Sequence, residues 1–225
     1  MPIKYLNFLN VYFQLTLVRF LTIFCYTFVR KEAIEMNYLI RKATPNDAKQ
    51  IAPLIYDAIG DIAFRITGQD NEEDMLQKLA ALVKDTNNRH SYLNTFVAAQ
   101  KDGAEIYGMI VLYDGVRGYT LDRALEKALL EEYQKVITID VEAHEDEFYI
   151  DTICVSPKAR GLGLGTTLLQ FAEKEAKLNG FQKLSLNVEV QKDKARALYT
   201  KVGFEDAGPW TIINEPFIHM VKLIK

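Results

Sequence analysis

Three glycines at alternate positions, Gly161, Gly163 and Gly165, separate a strand-like stretch, Phe148–Val155, from a helix-like stretch, Gly165–Leu178. No other feature of the chain constrains its fold as much. The helix stretch ends at Asn179-Gly180, and Lys183–Val190 then alternates Leu184, Leu186 and Val188 as a strand does. Strand, glycine turn, helix, strand is a crossover unit, so it predicts an α/β fold with a parallel pair at its centre. Glycine lets main-chain N–H groups approach a ligand closely, and here they add to the unsatisfied donors of a helix first turn. The run Arg160-Gly161-Leu162-Gly163-Leu164-Gly165-Thr166 therefore reads as an anion cradle suited to a pyrophosphate, with the forked charge of Arg160 beside it. A turn with no ligand is the alternative.

Two nucleotide motifs are excluded. No Gly-Lys-Ser/Thr follows the glycines, so the run is not a P-loop. The even spacing is not G-x-G-x-x-G, and no acidic residue closes the next strand in the ribose position, Glu189 being the nearest.

Elsewhere, Tyr38–Lys42 reads as a strand. Thr44-Pro45-Asn46-Asp47 opens a helix whose Ile51, Leu54, Ile55, Ala58 and Ile59 share a face. A second helix spans Glu72–Lys84. Thr95–Gln100 and Glu105–Tyr113 form a hairpin about Lys101-Asp102-Gly103. A helix over about Tyr119–Lys135 is marked by Leu121, Leu125, Ala128, Leu129 and Val136, and its place in the chain makes it a candidate lid. Asp193 is placed to cap a helix carrying Ala195, Leu198, Tyr199 and Val202, and strands follow at Trp210–Ile213 and Phe217–Leu223.

Met1–Glu35 differs from the rest. Tyr5–Val29 is apolar, yet Arg19, Asn7, Asn10 and Gln14 interrupt it, and no small-residue cleavage site follows. Residues 1–35 read as an upstream extension, Met36 as the initiator and residues 36–225 as one domain; a membrane anchor is the competing reading. With 27 basic and 30 acidic residues, net charge −3, the chain lacks the basic footprint of a nucleic-acid binder. Two cysteines, Cys25 and Cys154, point to a reducing compartment, and hence the cytoplasm. His90, His144 and His219 share no ligand spacing with them, so no metal is expected.

Val155-Ser156-Pro157, the Arg160-x-x-Gly163-x-Gly165 core, and Ala195-Arg196-Ala197-Leu198-Tyr199-Thr200-Lys201-Val202-Gly203-Phe204 occur in an order and spacing that resembles the GNAT superfamily of N-acyltransferases. The resemblance covers Met36–Lys225. It implies an α/β (α+β) fold: a mixed, splayed, seven-stranded sheet flanked by helices. It also implies acetyl-CoA as co-substrate, held by Arg160, Gly161, Leu162, Gly163, Leu164, Gly165 and Thr166. The pantetheine arm would pair with strand backbone around Ile153, Cys154 and Val155, and a main-chain N–H near Val155 would face the oxyanion. Tyr199 matches the family's tyrosine acid. Asp151 stands where the family often places a carboxylate base, and a fixed hydrogen-bonding role is its alternative. One departure is Lys192, where the family often has Asn.

The resemblance further implies a small-molecule or peptide amine as acceptor, and members are commonly homodimers. Glu147 and His144, at the strand's mouth, are further carboxylate and imidazole candidates, and Trp210 could flank the acceptor. The acidic run Asp140, Glu142, Glu145, Asp146, Glu147 could attract an amine or be a solvated loop. Nothing adjacent activates Cys154, which reads as a packing residue. The expected function is acetyl transfer from acetyl-CoA to a primary amine in a ternary complex; a non-catalytic acyl-CoA sensor is the alternative.

Overall fold

The computed structural model describes residues 37–134 and 136–225, so the reading of residues 1–35 lies outside the described residues. Element order is β1 (Tyr38–Lys42), α1 (Ala48–Ile59), α2 (Ile62–Thr67), α3 (Glu72–Lys84), β2 (Thr95–Gln100), β3 (Ile106–Asp114), α4 (Gly115–Tyr133), β4 (Phe148–Val155), α5 (Leu164–Leu178), β5 (Lys183–Glu189), α6 (Asp193–Lys201), β6 (Glu205–Ile212) and β7 (Glu215–Leu223). The seven strands form one mixed sheet in the order β1-β2-β3-β4-β5-β7-β6. Helices α1, α2 and α3 build the main core against β2, β3 and β4. The buried side of α5, Leu168, Leu169, Ala172 and Ala176, packs on β3, β4 and β5.

The central feature is incomplete pairing. β4 and β5 run parallel and pair only through Phe148, Tyr149 and Ile150 with Leu184, Ser185 and Leu186. Past Ile150, β4 keeps its antiparallel partner β3 as far as Val155, while β5 keeps its partner β7 as far as Glu189. Each half-sheet stays hydrogen-bonded on its outer side, so the two can diverge and leave one main-chain edge of β4 open.

Several expectations change. Helix α4 begins at Gly115, directly after β3, where Asp114 accepts from the Arg117 N–H at 2.9 Å. Gly115 and Gly118 disfavour a helix locally, but packing requires them. A Cβ at Gly115 would lie 2.0 Å from the His144 carbonyl oxygen, and one at Gly118 would lie 2.7 Å from the Tyr113 ring. The helix closes at Gln134 in a left-handed conformation, and Val136, expected on its apolar face, is 85% exposed. Leu121, Asp122, Leu125 and Leu129 are buried, so α4 is a core helix and not a lid.

Short α2, between Gly60 and Gly68, was not anticipated. Strand β6 starts at Glu205 because an edge strand tolerates Pro209 and the bulge at Gly208. Asp193 is the first residue of α6 and not its cap; Lys192 occupies the cap without a side-chain bond.

Candidate active site

The anion cradle follows from local backbone. Pro157–Ala159 forms one 3₁₀ turn after β4, Arg160 is extended, and Gly161 and Gly163 take φ of 77° and 85°. These left-handed angles cost a side-chain-bearing residue about 1–2 kcal/mol. No atom lies within 4 Å of a Cβ built at either glycine, so the space beside both is open. Leu162 and Leu164 are buried beneath the turn and offer only main-chain groups to a ligand. Leu164 starts α5 with Gly165 and Thr166, and the Thr167 N–H bonds back to Gly163 O. The donors of that first turn are thus free for an anion. Arg160 donates from Nε to the Val155 carbonyl at 3.1 Å and pairs through Nη2 with Asp57 of α1 at the rim.

A cleft of about 910 Å³ leads from this turn along β4, lined by Ile153, Cys154, Val155, Arg160, Gly161, Gly165, Lys192, Leu198 and Tyr199 among others. The β3–β4 register determines which main-chain groups face it. Ser156 N–H bonds to Tyr107 O, so alternate residues Ser156, Cys154 and Thr152 turn their main-chain groups toward β3. Ile153 and Val155 consequently direct theirs into the splay. Apart from the Val155 carbonyl, which accepts from Arg160, they form an open strand edge where an extended amide chain can dock and an N–H can face a developing oxyanion.

A second cavity, about 120 Å³, adjoins the cleft and shares Ala58, Ile153, Lys192, Ala195 and Tyr199 with it. Its apolar lining includes Ile59, Ile62, Ile139 and Phe217; its polar lining includes Arg89, His90, Glu142, Asp151 and Asn187. Arg89 is the hub of this polar group. Its Nε donates to Asp122 Oδ1 at 2.7 Å, and its Nη1 donates to Glu142 Oε1 at 2.5 Å and Asp151 Oδ2 at 3.1 Å. Asp151 also accepts from the Tyr113 hydroxyl and, at 2.6 Å, from Thr152 Oγ1. Glu142 accepts from Tyr149 at 2.8 Å, and Asn187 Nδ2 donates to that tyrosine oxygen at 3.1 Å.

One guanidinium therefore faces three carboxylates, an excess of negative charge beside the cavity. Burial raises the Asp151 carboxyl, but the Arg89 charge, then His90 and the Thr152 and Tyr113 bonds, outweigh it and hold Asp151 below the ordinary value. For Glu142, burial wins over Arg89 and pushes the carboxyl up; the same balance raises Asp122. Burial brings His90 down to about 4, so its imidazole is neutral near pH 7.

Of the residues read from sequence, the structure brings Asp151, Tyr199 and Ile153 to one cavity and both Tyr199 and Ile153 to the second as well. Tyr199 is pushed up to about 12 by burial and keeps its proton at neutral pH. Cys154 is likewise raised, to about 12, by burial and then by Asp57, whose carboxylate its thiol meets at 3.3 Å. Glu147 is not part of the cavity lining: it is buried against His219 at 3.1 Å and Ser185 at 2.9 Å. Trp210, outside both linings, donates to the Val141 carbonyl at 3.0 Å. Arg89, His90 and Asp122 had no sequence signal, because each sits in a segment without a motif. Glu142 was visible only as one acid in a charged run.

A splayed, seven-stranded mixed sheet flanked by helices defines an acetyltransferase-type fold. The chain belongs to the acetyltransferase (GNAT) family, whose profile matches residues 57–204. A solved acetyltransferase structure superposes with a TM-score of 0.69 at 31% identity, over 83% of this chain and 100% of that one. An N-acetyltransferase from Staphylococcus aureus Mu50 gives 0.68 at 25% identity, over 81% of this chain and 99% of that one. An IAA acetyltransferase of Azospirillum brasilense is 39% identical over 74 residues, 33% of this chain and 47% of the relative. The chain covers less than half the length of the curated relatives it matches. Among the described residues, no helix is long and apolar enough to cross a membrane.

Proposed function

We propose that this chain transfers an acetyl group from acetyl-CoA to a primary amine that enters as a cation, by direct attack in a ternary complex. The observation that carries this reading is the junction of the two cavities at Tyr199 and Ile153. The cradle-bearing cleft ends where the acidic cavity begins, so a thioester reaching along β4 meets an amine held by the carboxylates.

The residues supply the chemistry as follows. The glycine turn and first-turn N–H groups hold the pyrophosphate. The edge of β4 at Ile153 pairs with the pantetheine amides, and the Val155 N–H stabilises the oxyanion. An alkylammonium with a pKa near 10.4 costs roughly 4–5 kcal/mol to neutralise at pH 7. Glu142, raised by burial, is the better-matched proton acceptor, while Asp151 stays anionic and orients the ammonium. Tyr199, near 12, lies well above a free thiol at about 8.5. It therefore donates a hydrogen bond to the departing sulfur and does not give up its proton outright.

The test is calorimetric titration of the full chain with acetyl-CoA beside Arg160→Ala, followed by thiol-release assays over a panel of amines. Saturable binding that weakens in Arg160→Ala, with turnover of cationic amines, supports the reading. A folded protein that binds no acetyl-CoA would overturn it.

A further inference from the structure

We propose that His144, Glu147 and His219 form a binding site for a divalent first-row metal ion of the zinc type, beside the reaction cavity and separate from it. The sequence conceals this set, because His144 and Glu147 lie in the loop before β4 and His219 lies in β7. In the fold, one ligand atom from each comes within 4.8 Å of the others.

The hydrogen bonds around the set prepare two of the three ligands. Asn187 Nδ2 donates to the Glu142 carbonyl at 2.8 Å, which orients the amide and turns Oδ1 toward His219. His219 Nδ1 lies 2.8 Å from that oxygen, so Nδ1 carries the proton and donates it. Nε2 then faces Glu147 Oε1, 3.1 Å away. The other oxygen of Glu147 is held by the His144 N–H at 3.0 Å and Ser185 Oγ at 2.9 Å, which leaves Oε1 directed at the histidine. At this separation either a proton or a metal ion can join the two atoms.

A metal with bonds of about 2.0–2.1 Å in tetrahedral geometry places neighbouring ligands about 3.3 Å apart, close to what Nε2 and Oε1 already show. Ligating histidines characteristically donate the other ring N–H to a fixed acceptor, and Asn187 provides one. His144 supplies the third ligand and the entry route. Its ring stands edge-on to His219 with centroids 5.5 Å apart, and the residue is exposed. Rotation of that exposed ring closes its remaining distance. Two imidazoles and one carboxylate suit zinc or its neighbours, not calcium or magnesium, which take oxygen ligands.

Trp210 provides a local reporter. It is the chain's single tryptophan, and its ring lies 5.0 Å from the His144 ring and 4.7 Å from the His219 ring. Chelator-treated full-length protein is titrated with Co²⁺ while tryptophan fluorescence and visible absorption are followed. The expected result is one Co²⁺ per chain, intense d–d bands, and quenching that diamagnetic Zn²⁺ reverses by displacement. His144→Ala, at an exposed position that leaves the fold intact, should weaken binding at least tenfold, and His144→Asp should recover part of the loss. Absence of quenching, equal affinity in His144→Ala, or a cobalt–thiolate band reporting a cysteine ligand would overturn the proposal. In the first two outcomes, a shared proton is what joins His219 to Glu147.

Discussion

The guanidinium of Arg89 and the carboxylate of Asp151 lie 3.1 Å apart, with side-chain exposures of 6% and 3%. Asp122 and Glu142 share the same cation. Removing one partner of a buried pair costs about 3–5 kcal/mol, because the charges left behind are uncompensated. Arg89→Met should lose stability of that order in urea unfolding at pH 7. Without the guanidinium, Asp151 joins Glu142 and Asp122 above the unfolded value and those two rise further, so the carboxylates take up protons as pH falls and the repulsion is relieved. The deficit should therefore shrink from pH 7 toward pH 5. A deficit independent of pH would show that the cost is packing alone.

A base acts only when deprotonated, so turnover should fall as pH drops through the value of the group that serves. Burial places Glu142 above the ordinary glutamate, whereas Asp151 lies below the ordinary aspartate. With Glu142 as base, kcat at saturating amine should show an acidic limb above 4.5, and Glu142→Gln should abolish that limb and cost about 10²–10⁴ in kcat. A limb below 3.8 that disappears instead in Asp151→Asn would transfer the role to Asp151.

Tyr199→Phe removes one hydroxyl and keeps the ring that packs edge-on against Phe204. The expected loss is about 10²–10³ in kcat, the cost of one lost hydrogen-bond donor to the developing thiolate, with the acetyl-CoA dissociation constant unchanged. The parent enzyme should show no alkaline limb from this group below about pH 11, since the phenol titrates near 12. Unchanged turnover in the variant would rule out a role in the leaving step.

The three glycines should separate by φ. Gly163→Ala places a side chain at φ 85°, costing about 1–2 kcal/mol and filling the cradle, so both stability and acetyl-CoA affinity should drop. Gly165 lies inside α5, and its Cβ would make an ordinary 3.6 Å contact with Leu198. Gly165→Ala should fold at least as stably as the parent, so any affinity loss in that variant reports crowding of the anion site alone. Thermal unfolding and calorimetry on the pair distinguish the two effects.

Cys154, held near 12, carries almost no thiolate at neutral pH. Cys154→Ala should retain turnover of the same order, and mass spectrometry of the parent after acetyl-CoA alone should find no acyl adduct on this residue. An adduct would replace the ternary complex with a covalent route.

Legibility followed distance along the chain. Phe148–Val155, the left-handed glycines and α5 arise within one continuous stretch, where backbone preference and alternation act between near neighbours. The motif at Ala195–Phe204 is equally local. Gly115 and Gly118 misled because their reason is the close approach of His144 and Tyr113, which no local pattern records. Val136 misled because helical spacing continued past the point where Gln134 turned the chain.

Consecutive residues alone carry the left-handed glycine turn, the crossover around it and the family motifs, since each depends on local geometry. The splay, the joining of Arg89, Asp122, Glu142 and Asp151, and the meeting of His144, Glu147 and His219 arise only on folding. These depend on segments that pack from far apart, and burial then sets which carboxyl holds its proton and which gives it up.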